Sequence, residues 1–247
     1  MKEKNNIISL SGGKDSTAML LLMIEKAEPI HSVVFFDTGW EFPQMYEHID
    51  RLECYTGIEI VRLRPNIPFD ELLIRYSWPW MQGRWCTRAK INKINAYCKK
   101  NNGIENIGFS VEEKKRTQTK EMQKKTDKVR FPLIRWGITE GKALEICYRH
   151  GFYWDGLYRH FKRVSCFCCP LKGSPNAWRK IRRYYPDQWA KMLYIDSMIE
   201  NNGGFYGYKT VHDLDRRFSE EDRQIKLFYQ QGAAYGAERS GQGPEGE

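Results

Sequence analysis

Along this chain the apolar residues fall into short unbroken runs separated by longer amphipathic stretches. Ile7-Ile8-Ser9-Leu10 has the pattern of a short buried strand, and TAMLLLMIEKA, from Thr17, consists of strong helix formers. HSVVFFDTGW carries a second unbroken run that stops at Asp37-Thr38-Gly39; EFPQMYEHIDRLECYTG then predicts a helix and IEIVRLRP a third strand. Asn106 to Phe109 and Val129 to Ile134 supply two further strand-like runs. Strands that are apolar throughout are covered on both faces, and their alternation with helices predicts parallel order with right-handed crossovers. The pattern predicts an α/β protein built on an open parallel sheet.

Between the last two runs, VEEKKRTQTKEMQKKTDK is polar throughout, which predicts either a mobile lid whose lysines close over phosphates or a solvated loop. A helix is expected from about Thr139 to His150, then an aromatic turn, GFYWDGLYRHF, and the cysteine-bearing VSCFCCPLKG. SPNAWRKIRRYYP opens with a capping serine and a first-turn proline. Trp178, Ile181 and Tyr185 share one of its faces with arginines opposite, an amphipathic basic helix. Another helix is expected from Asp187 to Glu200. From Gly232 the chain is small, polar and glycine-rich, which predicts disorder. The expected divisions are a sheet domain over 1–155, a helical, cysteine-containing extension over 156–230 and a disordered tail over 231–247.

The join between the first strand and its helix is SGGKDS, Ser11 to Ser16. Gly12 and Gly13 permit a tight turn, and amides at a helix N-terminus point outward with partial positive charge. Lys14 adds a full charge, Ser11 and Ser16 add hydroxyls, and Asp15 adds a carboxylate. The loop reads as a phosphate cradle in which Lys14 and Asp15 are the candidate catalytic residues. It is not a Walker A loop, because Ile8 stands where the first glycine is required and Asp15 follows Lys14 in place of Ser or Thr. Asp37, Thr38 and Gly39 fall where the second strand ends, and ligands of open parallel sheets bind beyond the carboxyl ends of strands.

Composition narrows the partners. With 41% apolar residues the chain can bury a core, and 40 Lys and Arg against 31 Asp and Glu give a net charge of +9, which favours anions. Eight of those cations lie between Gly156 and Pro186, a segment with no Asp or Glu: either a nucleic-acid contact or a solvated helix face. No run has the length and apolarity of a membrane span and no signal peptide is evident, so a cytoplasmic protein without a membrane partner is expected. In that compartment seven cysteines suggest metal before disulfide.

In order along the chain, SGGKDS, FFDTGWEFPQMY, GRWCTRAKI, IGFSVEEKKR, FPLIRW and RVSCFCCPL resemble the phosphoadenylyl-sulfate (PAPS) reductase branch of the adenine-nucleotide alpha-hydrolase, or PP-loop, superfamily, from Ile7 to Leu171. The resemblance implies a Rossmann-like, HUP-type fold that binds ATP or a related adenylyl nucleotide with Mg. It makes Ser11 to Ser16 the phosphate loop and Asp37 to Gly39 the turn beside the nucleotide. Gly108, Glu112, Glu113 and Arg116 match the family's glycine, acidic pair and downstream arginine near the ligand, while Phe109-Ser110 depart from its pattern. The family's thiol-dependent reductases carry a nucleophilic cysteine in a C-terminal Glu-Cys-Gly motif, and no cysteine here follows Cys169, so that route is not expected.

Cys166, Cys168 and Cys169 lie within four residues, 80 positions after Cys86. Thiolates so close suit an iron–sulfur cluster or zinc, and the adjacent pair favours iron–sulfur. The family's cluster-bearing branches, among them APS reductases and DNA phosphorothioation enzymes, are similar at Cys86 and Cys166-x-x-Cys169. Cys168 is open between fourth ligand, reactive thiol and packing. Cys54, Cys98 and Cys147 are expected in the core, the five histidines receive no role, and Trp78, Trp80 and Trp85 form either a wall around the cluster or ordinary core. The leading expectation is sulfur-transfer chemistry at the nucleotide alpha-phosphate, with an unidentified sulfur donor, an undetermined oligomeric state and nucleic acid as a possible acceptor. APS or PAPS reduction, and a nucleotide-binding module with a structural cluster, are the alternatives.

Overall fold

The computed structural model describes residues 4–80, 84–207 and 209–240, with side chains described through Phe228 except at position 121. Among these residues five strands, β1 (Asn5–Leu10), β2 (Ser32–Phe36), β3 (Ile60–Leu63), β4 (Gly103–Ile107) and β5 (Val129–Arg130), form a sheet in the order β3-β2-β1-β4-β5, every pair parallel. Ile8 lies between Val33 of β2 and Asn106 of β4. The strand order reverses between β1 and β4, so a crevice opens at their carboxyl ends. Residues 11–16 and Gly108 stand at that crevice.

The helices are α1 (Lys14–Glu25), α2 (Pro43–Thr56), α3 (Phe69–Tyr76), α4 (Trp85–Lys100), α5 (Lys120–Gln123), α6 (Pro132–Arg135), α7 (Glu140–Arg149), α8 (Leu157–His160), α9 (Pro175–Tyr184), α10 (Pro186–Met198) and α11 (Val211–Ser240). Successive strand residues serve opposite faces. Ile7 and Val34 pack with Ile94 and Cys98 of α4, whereas Ile8, Leu10, Val33 and Phe35 enter the larger core. That is why β1 and β2 are apolar at consecutive positions. The larger core continues into the C-terminal helices through Trp178, Ile181, Leu214 and Phe218. Truncating a fully buried aromatic such as Trp178 to Ala costs about 3–5 kcal/mol.

Several boundaries differ from the sequence expectation. α1 begins at Lys14 and not at Thr17, so Lys14, Asp15 and Ser16 form its first turn. The run from Val129 to Ile134 is a strand only at Val129–Arg130; Pro132 lacks the amide a ladder requires and starts α6 instead. Residues 111–128 are exposed as expected, but they form a 3-10 helix, Val111–Gln118, and α5 rather than an open loop. α11 continues through Ser240, into the stretch expected to lack order, whose remainder, 241–247, lies outside the described residues. Cys54 is exposed, while Cys98 and Cys147 are buried. Trp80 is 60% exposed, against 3% for Trp78, so the tryptophans do not form one wall. No helix among the described residues is long and apolar enough to cross a membrane.

Candidate nucleotide and thiol site

The turn from β1 into α1 is held from every side. Gly12 has φ +77°, the left-handed conformation that favours glycine, while a Cβ there would press on the movable Met45 Cε at 2.8 Å. Ser16 Oγ donates to the Gly13 carbonyl (3.1 Å) and accepts the Ser11 amide (3.1 Å), and the two serine hydroxyls lie 3.0 Å apart. A Cβ on Gly108 would lie 2.9 Å from the Ser16 N and Cα, so glycine lets the exit of β4 press against the loop.

Lys14 is 7% exposed. Its amine donates to Asp15 Oδ2 (3.1 Å) and Glu140 Oε2 (2.9 Å). Burial opposes its charge, but the Glu140 and Asp15 carboxylates outweigh burial and hold its pKa above the ordinary lysine value. Burial raises Asp15 despite the Lys14 charge beside it, and Asp15 Oδ1 is buried with no hydrogen-bond partner. Such an orphaned oxygen is a site of unmet demand for a proton or a cation.

A roof of C-terminal residues covers the loop. The Lys14 amide donates to the Tyr158 hydroxyl (2.7 Å), and the Trp154 indole donates to the Gly12 carbonyl (2.7 Å). A Cβ on Gly13 would stand 3.5 Å from the Tyr158 hydroxyl and 3.7 Å from the Val164 carbonyl. The roof turns on three successive residues with positive φ, Trp154 (48°), Asp155 (44°) and Gly156 (79°). Two of these are not glycine, a local strain that the surrounding contacts sustain. His48 props Trp154: the rings stack at 4.4 Å, and the imidazole shares a hydrogen bond with Thr17 Oγ1 (2.9 Å).

Of the expected ligand residues, Ser11 to Ser16 and Gly108 are brought together. Asp37 is committed elsewhere. It accepts from the Gly39 amide, the Tyr46 hydroxyl and Arg64 Nε, each at 2.9 Å. Burial works against its charge, but those three donors hold its carboxyl below the usual range. Thr38 donates to Glu41 (3.0 Å). Arg116 pairs with Glu113 and lies over the Phe109 ring (4.1 Å), and Glu112 accepts the first amide of α7, at Glu140. Sequence reasoning missed Glu140, Tyr158, Trp154 and His48; only the density of aromatics in GFYWDGLYRHF pointed toward the roof.

Cys166, Cys168 and Cys169 follow the roof in the chain, from two residues beyond Val164, whose carbonyl faces Gly13. The Phe167 amide donates to the Trp40 carbonyl (2.9 Å) and the two rings pack at 4.7 Å, which fastens the cysteine segment to the chain after β2. The Cys166 thiol shares hydrogen bonds with Cys168 and Cys169, which push it up. The same bond lowers Cys169, helped by the Lys172 charge. Burial, together with Cys168 and Cys169, pushes Cys86 up to about 11, so Cys86 belongs to the same group. Burial raises the Glu41 carboxyl to about 7 against the pull of Thr38, Lys90 and Lys172. Cys168 is fully buried. Four thiols flanked by two ammoniums have the donor chemistry of a thiolate-ligated centre. Among the described residues no group of three or more His, Cys, Asp or Glu stands in an ion-holding arrangement as the side chains lie.

Together these features define an α/β protein of the open, parallel, Rossmann-like type with its glycine-bearing loop at the strand-order reversal. The family model for the phosphoadenosine phosphosulfate reductase domain matches residues 5–172, and the chain belongs to that family, within the PP-loop superfamily. An uncharacterised protein of Methanocaldococcus jannaschii is 27% identical over 197 residues, 76% of this chain and 41% of its own length. An uncharacterised nin region protein of Escherichia phage lambda is 28% identical over 148 residues, 47% of this chain and 51% of its own length. The chain thus spans about half or less of these curated relatives. A crystal structure of PAPS reductase from Candida auris, as a phosphate complex, has a TM-score of 0.48 at 15% identity, over 67% of this chain and 82% of that one. The U34-tRNA thiolase of Methanococcus maripaludis with its 4Fe-4S cluster also has a TM-score of 0.48, at 17% identity, over 80% of this chain and 74% of that one.

Proposed function

We propose that this chain binds ATP or a related adenylyl nucleotide at Ser11 to Ser16 and acts at its α-phosphate in sulfur-transfer chemistry. The observation that carries the reading is Lys14, buried and held in its charged form at the turn from β1 into α1, beneath the segment that leads to the cysteines. The family match supports an adenylyl nucleotide.

An acceptor oxygen attacks the α-phosphorus, the bond to pyrophosphate breaks, and the acceptor carries AMP. A sulfur nucleophile from a donor then displaces AMP. Lys14 and the loop amides offset charge on the phosphates and align them, which is where the rate gain arises. Asp15, with its unpartnered oxygen, would hold Mg against those phosphates. Cys86, Cys166, Cys168 and Cys169 would hold an iron–sulfur cluster, or zinc in its place. An iron–sulfur cluster supplies a place for sulfur to bind.

The test is pyrophosphate release from ATP by anaerobically purified protein. Release is expected, and Lys14→Ala is expected to lower it at least 100-fold with iron content unchanged; release indifferent to Lys14→Ala ends the reading. Iron and acid-labile sulfide are expected in the purified chain and are expected to be lost when Cys166 and Cys169 are both changed to Ser. Zinc alone would remove sulfur delivery. The family match also favours a second reading, reduction of APS or PAPS, which would show as sulfite release with thioredoxin and no pyrophosphate from ATP. ATP binding without cleavage by any acceptor would leave a nucleotide-binding module.

A further inference from the structure

The eight cations between positions 156 and 186 do not act as one patch. Arg179 and Arg182 turn to α11, where they pair with Glu221, Asp215 and Asp222, and Arg183 lies over the Tyr184 ring. Lys162, Arg163, Lys172 and Lys180 instead line a cavity of about 360 Å³ between residues 160–163 and the start of α9. Among the described residues no Asp or Glu lines it. Lys180 is fixed by the neutral His160 carbonyl (3.0 Å), and Lys172 stands over the Phe42 and Phe161 rings (5.1 and 5.2 Å) while its charge acts on Cys166 and Cys169. Lys162 and Arg163 are exposed. The cavity therefore presents four cationic side chains to an anion.

A second cavity, of about 410 Å³, is lined by Phe205, which packs on Trp178 of α9 (4.5 Å), the helix whose start lines the first. Tyr76, Trp80 and Trp85 line it with Phe205, and Trp85 immediately precedes Cys86. Trp80 is 60% and Tyr76 55% exposed, so large flat rings are presented to solvent beside a pocket. Cationic grooves that hold phosphates, together with exposed aromatics on which bases stack, are the two components of single-strand recognition.

We propose that the chain binds a single-stranded polynucleotide, with backbone phosphates in the Lys162, Arg163, Lys172 and Lys180 cavity and a base against Tyr76 and Trp80. This names the acceptor class for the adenylyl reading above and rests on that reading for its chemistry, though not for the binding itself. Fluorescence anisotropy with a labelled single strand of about 16 nucleotides, across a salt series, tests it. The double variant Lys162→Ala with Arg163→Ala should weaken binding at least tenfold and reduce the log–log salt slope by about 1.4, two single-strand phosphate contacts. Trp80→Ala should weaken binding about fivefold or more with the slope unchanged. Arg179→Ala should leave the slope as it is. All three positions changed for loss are exposed, and thermal melts of the variants check folding. No binding at low salt, equal loss in Arg179→Ala, or stronger binding to duplex than to single strand overturns the proposal. So does ATP or inorganic phosphate saturating the cavity with no strand bound, which would assign it to a free phosphate. Lys14→Ala should not alter strand binding, so failure of nucleotide cleavage and failure of strand recognition are read separately.

Discussion

His48 has no motif around it, yet it stands under the loop. Its ring is buried between Thr17 and Trp154, and burial, with the Arg51 charge, lowers its pKa to about 3. The unfolded value is about 6.5. Between those values the unfolded chain binds a proton that the folded chain refuses, so stability is lost as pH falls below about 6.5, by at most about 1.4 kcal/mol per pH unit. Urea midpoints are expected to drop between pH 7 and 5.5, and His48→Gln is expected to flatten that drop. An unchanged slope in His48→Gln would place the titration in another group. At this scale the sequence revealed what is local. Ser11 to Ser16 could be read because the cradle lies in consecutive residues, whereas Glu140 and Tyr158 reach Lys14 from 126 and 144 residues away. Asp37 was located at the correct strand end, but its three donors lie at Gly39, Tyr46 and Arg64, and only the folded chain shows the carboxylate already spoken for.

Among the elements, α9 shows what periodicity can and cannot tell. Trp178 and Ile181 are buried on one face, as their spacing predicts. The opposite face was open between nucleic acid and solvent, and α11 takes part of it: Arg182 Nε bonds Asp215 (2.8 Å), Nη1 bonds Asp222 (2.6 Å) and Nη2 bonds Ser219 (2.8 Å). Arg182→Ala removes three bonds, two of them to carboxylates, and is expected to cost about 1.5–3 kcal/mol in urea unfolding. Arg183→Ala, whose side chain meets only the Tyr184 ring, is expected to change stability little. Equal effects of the two would deny that α9 is fastened through Arg182. Apolar spacing identifies which face leaves solvent; it carries no information about which distant helix supplies the counter-charges. The same limit applies to β5, where a β-like run is cut short by the backbone chemistry of Pro132.

For the whole molecule, the parallel sheet class followed from alternating apolar runs and helices, because parallel sheets buried on both faces leave that imprint on every strand, while the order of the strands is seen only in the fold. The placement of the extension did not, since its core residues meet the sheet only in three dimensions. Ile8 and Phe218 belong to the same apolar core, so the cysteine segment is anchored on both sides and cannot swing freely from the nucleotide loop. The loop is braced from within and from the roof, apart from Asp15 Oδ1, which has no partner. The Lys14 amide is taken by Tyr158, its amine by Asp15 and Glu140, and the serine hydroxyls by one another. An anion bound there, as proposed, would take the place of the Tyr158 hydroxyl at the Lys14 amide and of Glu140 at its amine, so the protein's own side chains hold the cradle in shape while it is empty.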